Sequence, residues 1–142
     1  MMTNTVESTR TERLADVQSL DREELIEAIA QGLPAELARE LAAKLDLSQD
    51  ELAGLLRLTP RTLQRRLEAG RLELGESERL WELARLFFRA VEVLESEAAA
   101  TQWLKNPIQA LGWKTPMAFA QSAVGLREVE NVLGRIEHGV FS

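Results

Sequence analysis

Leucines recur at helical spacing through most of the chain, and the polar residues between them mark where each helix starts and stops. Asp21 with Glu24 forms a capping box ahead of Leu25, Ile26 and Ile29, which predicts a short amphipathic helix ending near Gly32. Pro34 is expected to open the next helix, in which Leu37, Leu41 and Leu45 repeat every four residues. The longest periodic stretch runs from about Ser77 to Ser96, with Leu80, Leu83, Ala84, Phe87, Val91 and Leu94 on one wide stripe broadened by Trp81 and Phe88. A stripe that broad needs cover on more than one side, from its own core or from a helix–helix dimer seam. Ala98 to Leu104 reads as a short helix, and Pro107, Gly112 and Pro116 then crowd into a loop. Thr115–Pro116 starts a four-residue helix through Phe119, Gly125 is expected to break it, and a final helix from Leu126 carries Val129, Val132, Leu133 and Ile136 before Gly139 ends it. Residues 1–18 have no sustained apolar period and are expected to form a mobile arm, with only a weak helical tendency near Leu14.

The rest of the chain is organised around residues 48–70, SQDELAGLLRLTPRTLQRRLEAG. Ser48 with Glu51 caps a first short helix, and Leu47 and Leu52 are spaced as a hydrophobic staple. Thr59 caps a second helix, Pro60 occupies its first position and Gly70 stops it. Leu63 and Leu67 share one face, expected against Leu52, Ala53 and Leu56, with Ala53 allowing a close crossing. Arg61, Gln64 and Arg65 lie on the opposite face. These residue types form paired hydrogen bonds with guanine and adenine edges in the major groove. Arg57, Arg66 and Arg71 are placed to meet phosphates. The arrangement is that of a helix-turn-helix whose second helix reads DNA. A plain bundle helix with a solvated arginine face is the alternative. One such helix reads one half-site, so a homodimer is expected on operator DNA.

Composition supports an all-α protein, since Ala, Leu, Glu and Arg abound while aromatics make up 5% of the 142 residues. The absence of cysteine excludes disulfides and thiolate metal sites. No apolar run approaches the ~20 residues of a membrane span, and no secretory signal is legible, so a cytoplasmic protein is expected. The net charge of −6 argues against nucleic acid until it is divided along the chain. Residues 48–72 hold five Arg against Asp50, Glu51 and Glu68, or +2, which leaves −8 for the remainder. A basic reading element on an acidic body can still dock on DNA by one face. The single histidine, His138, leaves no credible Ser/His/Asp set or zinc site, and no glycine-rich loop is placed to cradle phosphate. No enzyme, metal or cofactor is expected.

From about Leu33 onward, roughly three quarters of the chain, the sequence resembles the Xre/MbcA/ParS antitoxins, the partners of RES-domain toxins. The resemblance rests on TPRTLQRRLEAG, the long helix from ESERL to AVEVL, AATQWLKNPIQALGWKTP and GLREVENVLGRIEHGVF, in that order. The last two runs are the more specific. It implies an antitoxin of a bacterial type II module, with a helix-turn-helix that represses its own operon. It also implies that the C-terminal part obstructs the active-site entrance of a toxin that consumes NAD. The toxin-facing residues so implied are Arg135, His138, Gly139, Val140, Phe141 and Ser142. Trp103, Leu104, Asn106, Pro107, Leu111, Gly112, Thr115 and Pro116 match the block that defines the fold of such domains. Two departures stand out: Trp113 replaces the second glycine usual after Leu-Gly, and Gln121–Ser122 stand where an acidic residue and threonine are common.

The layout that follows is an arm over 1–18, a helix-turn-helix domain over 19–74 and a toxin-binding domain over 75–142. Phe141 can be weighed on its own chemistry. An aromatic near a chain end either folds back onto its own domain or enters a partner's cleft, where full burial yields up to ~2–3 kcal/mol. The resemblance favours the cleft. A stand-alone helix-turn-helix regulator, with a C-terminal domain for dimerisation or sensing, is the alternative function.

Overall fold

The computed structural model describes residues 11–139. Residues 1–10 of the expected arm, and Val140, Phe141 and Ser142 of the expected toxin-facing set, lie outside the described residues. Among the described residues the fold is all-α. The helices are α1 (Leu14–Gln18), α2 (Arg22–Gln31), α3 (Glu36–Leu45), α4 (Gln49–Leu55), α5 (Pro60–Ala69), α6 (Leu74–Leu94), α7 (Glu97–Lys105), α8 (Pro116–Phe119) and α9 (Ala123–Glu137). A single turn of 3₁₀ helix, Gln109–Leu111, precedes α8. The chain forms two compact units, dividing at Ala84/Arg85 within α6. The boundary expected at 74/75 therefore falls ten residues early, because Ser77, Arg79, Leu80 and Leu83 are buried in the first unit.

Local capping sets most of these starts. Asp21 and Glu24 exchange side-chain-to-backbone hydrogen bonds at the head of α2, as do Ser48 and Glu51 at α4. Thr59, Ser96, Thr115 and Ser122 each accept one from the backbone N–H three residues on. In place of the acidic residue and threonine usual in the resembling family, Ser122 keeps the cap of α9 intact, accepting from Gly125 N–H at 3.0 Å.

Four expectations need correction. Residues 14–18 are not part of a mobile arm, since α1 buries Leu14 and Val17 and Leu14 N–H donates to Glu40 Oε1 at 2.8 Å. Two apolar residues against α3 outweigh a polar neighbourhood. Pro34 does not open α3: it forms an isolated bridge with Arg71, and the helix starts at Glu36. The long helix starts at Leu74, not Ser77. Glu76 reaches back to the Glu73 N–H at 2.9 Å, while the fully buried Ser77 Oγ accepts from Leu33 N–H at 2.8 Å and is unavailable as a cap. Finally, Gly125 breaks nothing, because it lies inside the first turn of α9, which begins at Ala123.

In the first unit, the core is built from Leu37, Leu41 and Leu45 of α3, Leu52, Ala53 and Leu55 of α4, Leu63 of α5 and Leu80 and Leu83 of α6. The segment after α5 returns to the one before α3. Ala35 N–H donates to Gly70 O at 3.0 Å and Leu72 N–H to Leu33 O at 2.9 Å. By contrast α2 buries none of its residues, and Ile26 is 62% exposed. In the second unit, Leu86, Phe87 and Ala90 of α6 are buried, as are Ala100 and Leu104 of α7 and Val129, Val132 and Leu133 of α9. Arg85 joins α9 through Glu130 at 2.9 Å, and Arg89 through Glu137 at 3.1 Å.

Candidate functional site

The turn of the helix-turn-helix is closed by backbone geometry more often given to glycine. Arg57 takes φ +62°, Leu58 N–H donates to Ala53 O at 2.8 Å and Arg57 N–H to Gly54 O at 3.1 Å. That pair of bonds is a Schellman motif, here with arginine at the left-handed position. Behind it, the buried Arg79 of α6 donates from Nε to Leu55 O at 2.7 Å, satisfying a carbonyl at the end of α4. Burial, and secondarily Arg57, push the Arg79 guanidinium below its ordinary range, with Glu82 opposing them. A buried cation thus fixes the inner side of the turn, while Arg57 stays exposed on its outer side.

On α5 the two faces divide as the spacing predicts. Leu63 is fully buried and Leu67 half-buried, whereas Arg61, Gln64, Arg65 and Glu68 are exposed. Arg65 leans on its own helix, donating to Thr62 Oγ1 at 3.4 Å. Gln64 is held from two sides: Gln49 Nε2 donates to its Oε1 at 3.0 Å, and its Nε2 donates to Glu68 Oε2 at 3.1 Å. Gln49 was not picked out from sequence, because its link to Gln64 spans fifteen residues and follows only from the crossing of α4 and α5. Its position at the start of a helix facing the second was the available signal.

Two of the expected phosphate contacts are engaged within the fold. Arg66 Nε donates to both carboxylate oxygens of Glu76, at 2.8 and 3.1 Å, and its Nη2 lies 3.5 Å from Glu73. Arg71 donates from Nη1 to the carbonyl of Gly32. The Arg66–Glu76 pair ties α5 to the start of α6 and leaves Arg66 half-buried, whereas Arg71 stays exposed, as do Arg57, Arg61, Gln64 and Arg65. Burial pushes the Glu76 carboxyl up, but the hydrogen bonds from Arg66 and the Glu73 N–H prevail and hold it below its ordinary value. A depressed folded pKa contributes stability above the unfolded pKa and loses it as pH falls through the folded pKa. Glu76→Gln is therefore expected to destabilise the first unit by about 2 kcal/mol at pH 7. In thermal melts the gap to wild type should close as pH drops below ~4. A gap independent of pH would remove the ion pair as its cause.

In the second unit, α9 ends at Glu137 and is capped by His138, with Gly139 beyond it at φ +72°. His138 and Gly139 are exposed and Arg135 half-buried, so these three of the expected toxin-facing residues share the last turn and its exit. Arg89 anchors that turn through Glu137 and also pairs with Glu92 at 2.9 Å. The hydrogen bonds from Arg89 hold the Glu137 carboxyl below its ordinary pKa. Upstream, Leu111 is buried, and Gly112 and Trp113 both take φ +66°. Trp113 takes the left-handed backbone that glycine adopts freely, at a local cost of about 1–2 kcal/mol for a residue with a Cβ. Among the described residues no group of His, Asp and Glu is placed to hold a metal ion, and no helix is long and apolar enough to cross a membrane.

These features define an all-helical helix-turn-helix protein with a separate helical C-terminal domain. Residues 24–85 match the model of the antitoxin Xre-like helix-turn-helix domain. Residues 89–139 match that of the antitoxin Xre/MbcA/ParS C-terminal toxin-binding domain. The chain belongs to the Xre/MbcA/ParS antitoxin family. It is 29% identical over 114 residues to an Antitoxin Xre of Photorhabdus laumondii, covering 79% of this chain and 77% of that one. A second Antitoxin Xre, from Yersinia enterocolitica, is 29% identical over 120 residues, covering 83% and 81%. Among solved structures, the M. tuberculosis MbcT–MbcA toxin–antitoxin complex contains a chain of the same fold, with TM-score 0.58 and 23% identity over 76% of this chain and 96% of that one.

Proposed function

We propose that this protein is the antitoxin of a RES–Xre type II module, a cytoplasmic homodimer without enzymatic activity. In this reading Arg61, Gln64 and Arg65 read base edges of its operator, and Arg57 meets phosphate. The C-terminal segment, from Arg135 through His138 and Gly139 to Val140, Phe141 and Ser142, covers the active-site entrance of an NAD-consuming toxin. The observation that carries this reading is the order of parts on one chain: an Xre-like helix-turn-helix followed directly by the family's toxin-binding domain. The exposed arginine face of α5 and the exposed exit of α9 suit the two tasks and lie in different units.

NAD consumption by the product of the neighbouring gene tests the proposal, measured alone, with the full chain and with a chain ending at His138. Full-length protein should suppress it and the truncated chain should lose at least tenfold in inhibition. Arg65→Ala should reverse the pattern, weakening operator binding about tenfold or more while leaving inhibition intact. Inhibition by both full-length and truncated chains would move the toxin contact into the body of the domain. A neighbour that leaves NAD untouched would favour a stand-alone regulator.

A further inference from the structure

Trp113 sits on the outside of a turn that holds it against its own backbone preference. It is 66% exposed, and it follows Gly112 with the same left-handed φ of +66°. The turn is tightly bonded: Gly112 N–H donates to Gln109 O and Trp113 N–H to Ile108 O, both at 2.9 Å, and Ile108 N–H donates to Lys114 O at 3.2 Å. Leu111 supplies the turn's buried contact with the core, whereas most of the indole faces solvent. A glycine at 113 would relieve the backbone and remove an exposed apolar surface. Stability of this unit therefore does not account for tryptophan here.

A large, rigid aromatic presented on a fixed backbone suits the anchor of a protein interface, because little conformational freedom is lost when a partner covers it. Strain retained at an exposed residue points the same way. The occupant follows from position, since Trp113 lies within the residues 89–139 that match a toxin-binding domain. We propose that Trp113 is an anchor for the toxin, contributed by the body of the domain and additional to the C-terminal segment. This rests on the toxin-binding reading above and extends it to a second contact.

The test compares full-length wild type with Trp113→Gly, measuring thermal unfolding, sedimentation and affinity for the toxin encoded beside it. The variant should melt no lower than wild type, and up to about 4 °C higher. Its toxin Kd should nevertheless rise about tenfold or more. Opposite movements of stability and affinity are what an anchor produces and a core residue does not. An unchanged Kd, or a Kd and a melting temperature that worsen together, would overturn the proposal. Loss of the homodimer with toxin affinity unchanged would also overturn it, assigning the indole to a second copy of this chain. If wild type fails to bind the toxin while the Chain ending at His138 behaves identically, the toxin-binding reading itself has failed, and the anchor with it.

Discussion

Replacing Gly125 with alanine is expected to unfold the C-terminal unit and abolish toxin neutralisation. Gly125 lies in the first turn of α9 with its N–H bonded to Ser122 Oγ. Its backbone is helical, so intrinsic preference alone would favour alanine by about 1 kcal/mol. Packing reverses the sign. A Cβ at this position would lie 1.8 Å from the Phe119 carbonyl oxygen and 2.8 Å from its carbon. Both are backbone atoms at the end of α8, so no side-chain rotation relieves the overlap, and α8 must move from α9. Opening that contact costs more than the 1–3 kcal/mol of ordinary overpacking, and about 10 °C or more in melting temperature. Toxin inhibition and the melting of the C-terminal unit should fall together. A variant that melts within about 2 °C of wild type would disprove the close approach of α8 and α9.

Gly32→Ala is the counterpart in the first unit and should cost operator binding. Gly32 ends α2 at φ +93°, ψ 122°, a conformation that side chains with a Cβ strongly avoid. The added Cβ would also stand 2.3 Å from the Leu72 carbonyl oxygen, within the segment that returns from α5 to pair with Leu33. Backbone strain of about 1–3 kcal/mol adds to a similar overpacking term. Together they approach a large part of a typical domain's stability of 5–15 kcal/mol. Hydrogen exchange in α3–α5 should accelerate and operator affinity should fall, with the second unit's exchange unchanged. Intact protection of α3–α5 would show that the segment at 70–72 tolerates displacement.

The two glycines show where sequence reading reached its limit. Gly32 was legible as a helix end because a terminal glycine changes the local pattern. Gly125 was misread as a break for the same reason, since its actual constraint is a carbonyl six residues earlier, brought near by the turn between α8 and α9. The arginines on α5 and just after it divide in a comparable way. Their face was readable from 100° spacing, but Arg66 and Arg71 carry nothing in their type to separate them from Arg61 and Arg65. Only the return of the chain past α5 places Glu76 beside Arg66 and the Gly32 carbonyl beside Arg71.

The sequence by itself determined the helical class, the two helices of the helix-turn-helix and the face on which its arginines lie. It also determined the family, through motif order along the C-terminal half. Each of these depends on interactions within one or two helical turns, such as Ser48 with Glu51, Thr59 with Thr62 and Thr115 with Ala118, which a linear pattern records directly. The tertiary structure alone decided which groups Arg66 and Arg71 bond, that Gln49 holds Gln64, why Gly125 is glycine and that α1 belongs to the folded unit. Those outcomes depend on groups from separate elements meeting in space, as Leu14 meets Glu40 and Leu33 meets Ser77, and sequence periodicity does not encode such meetings.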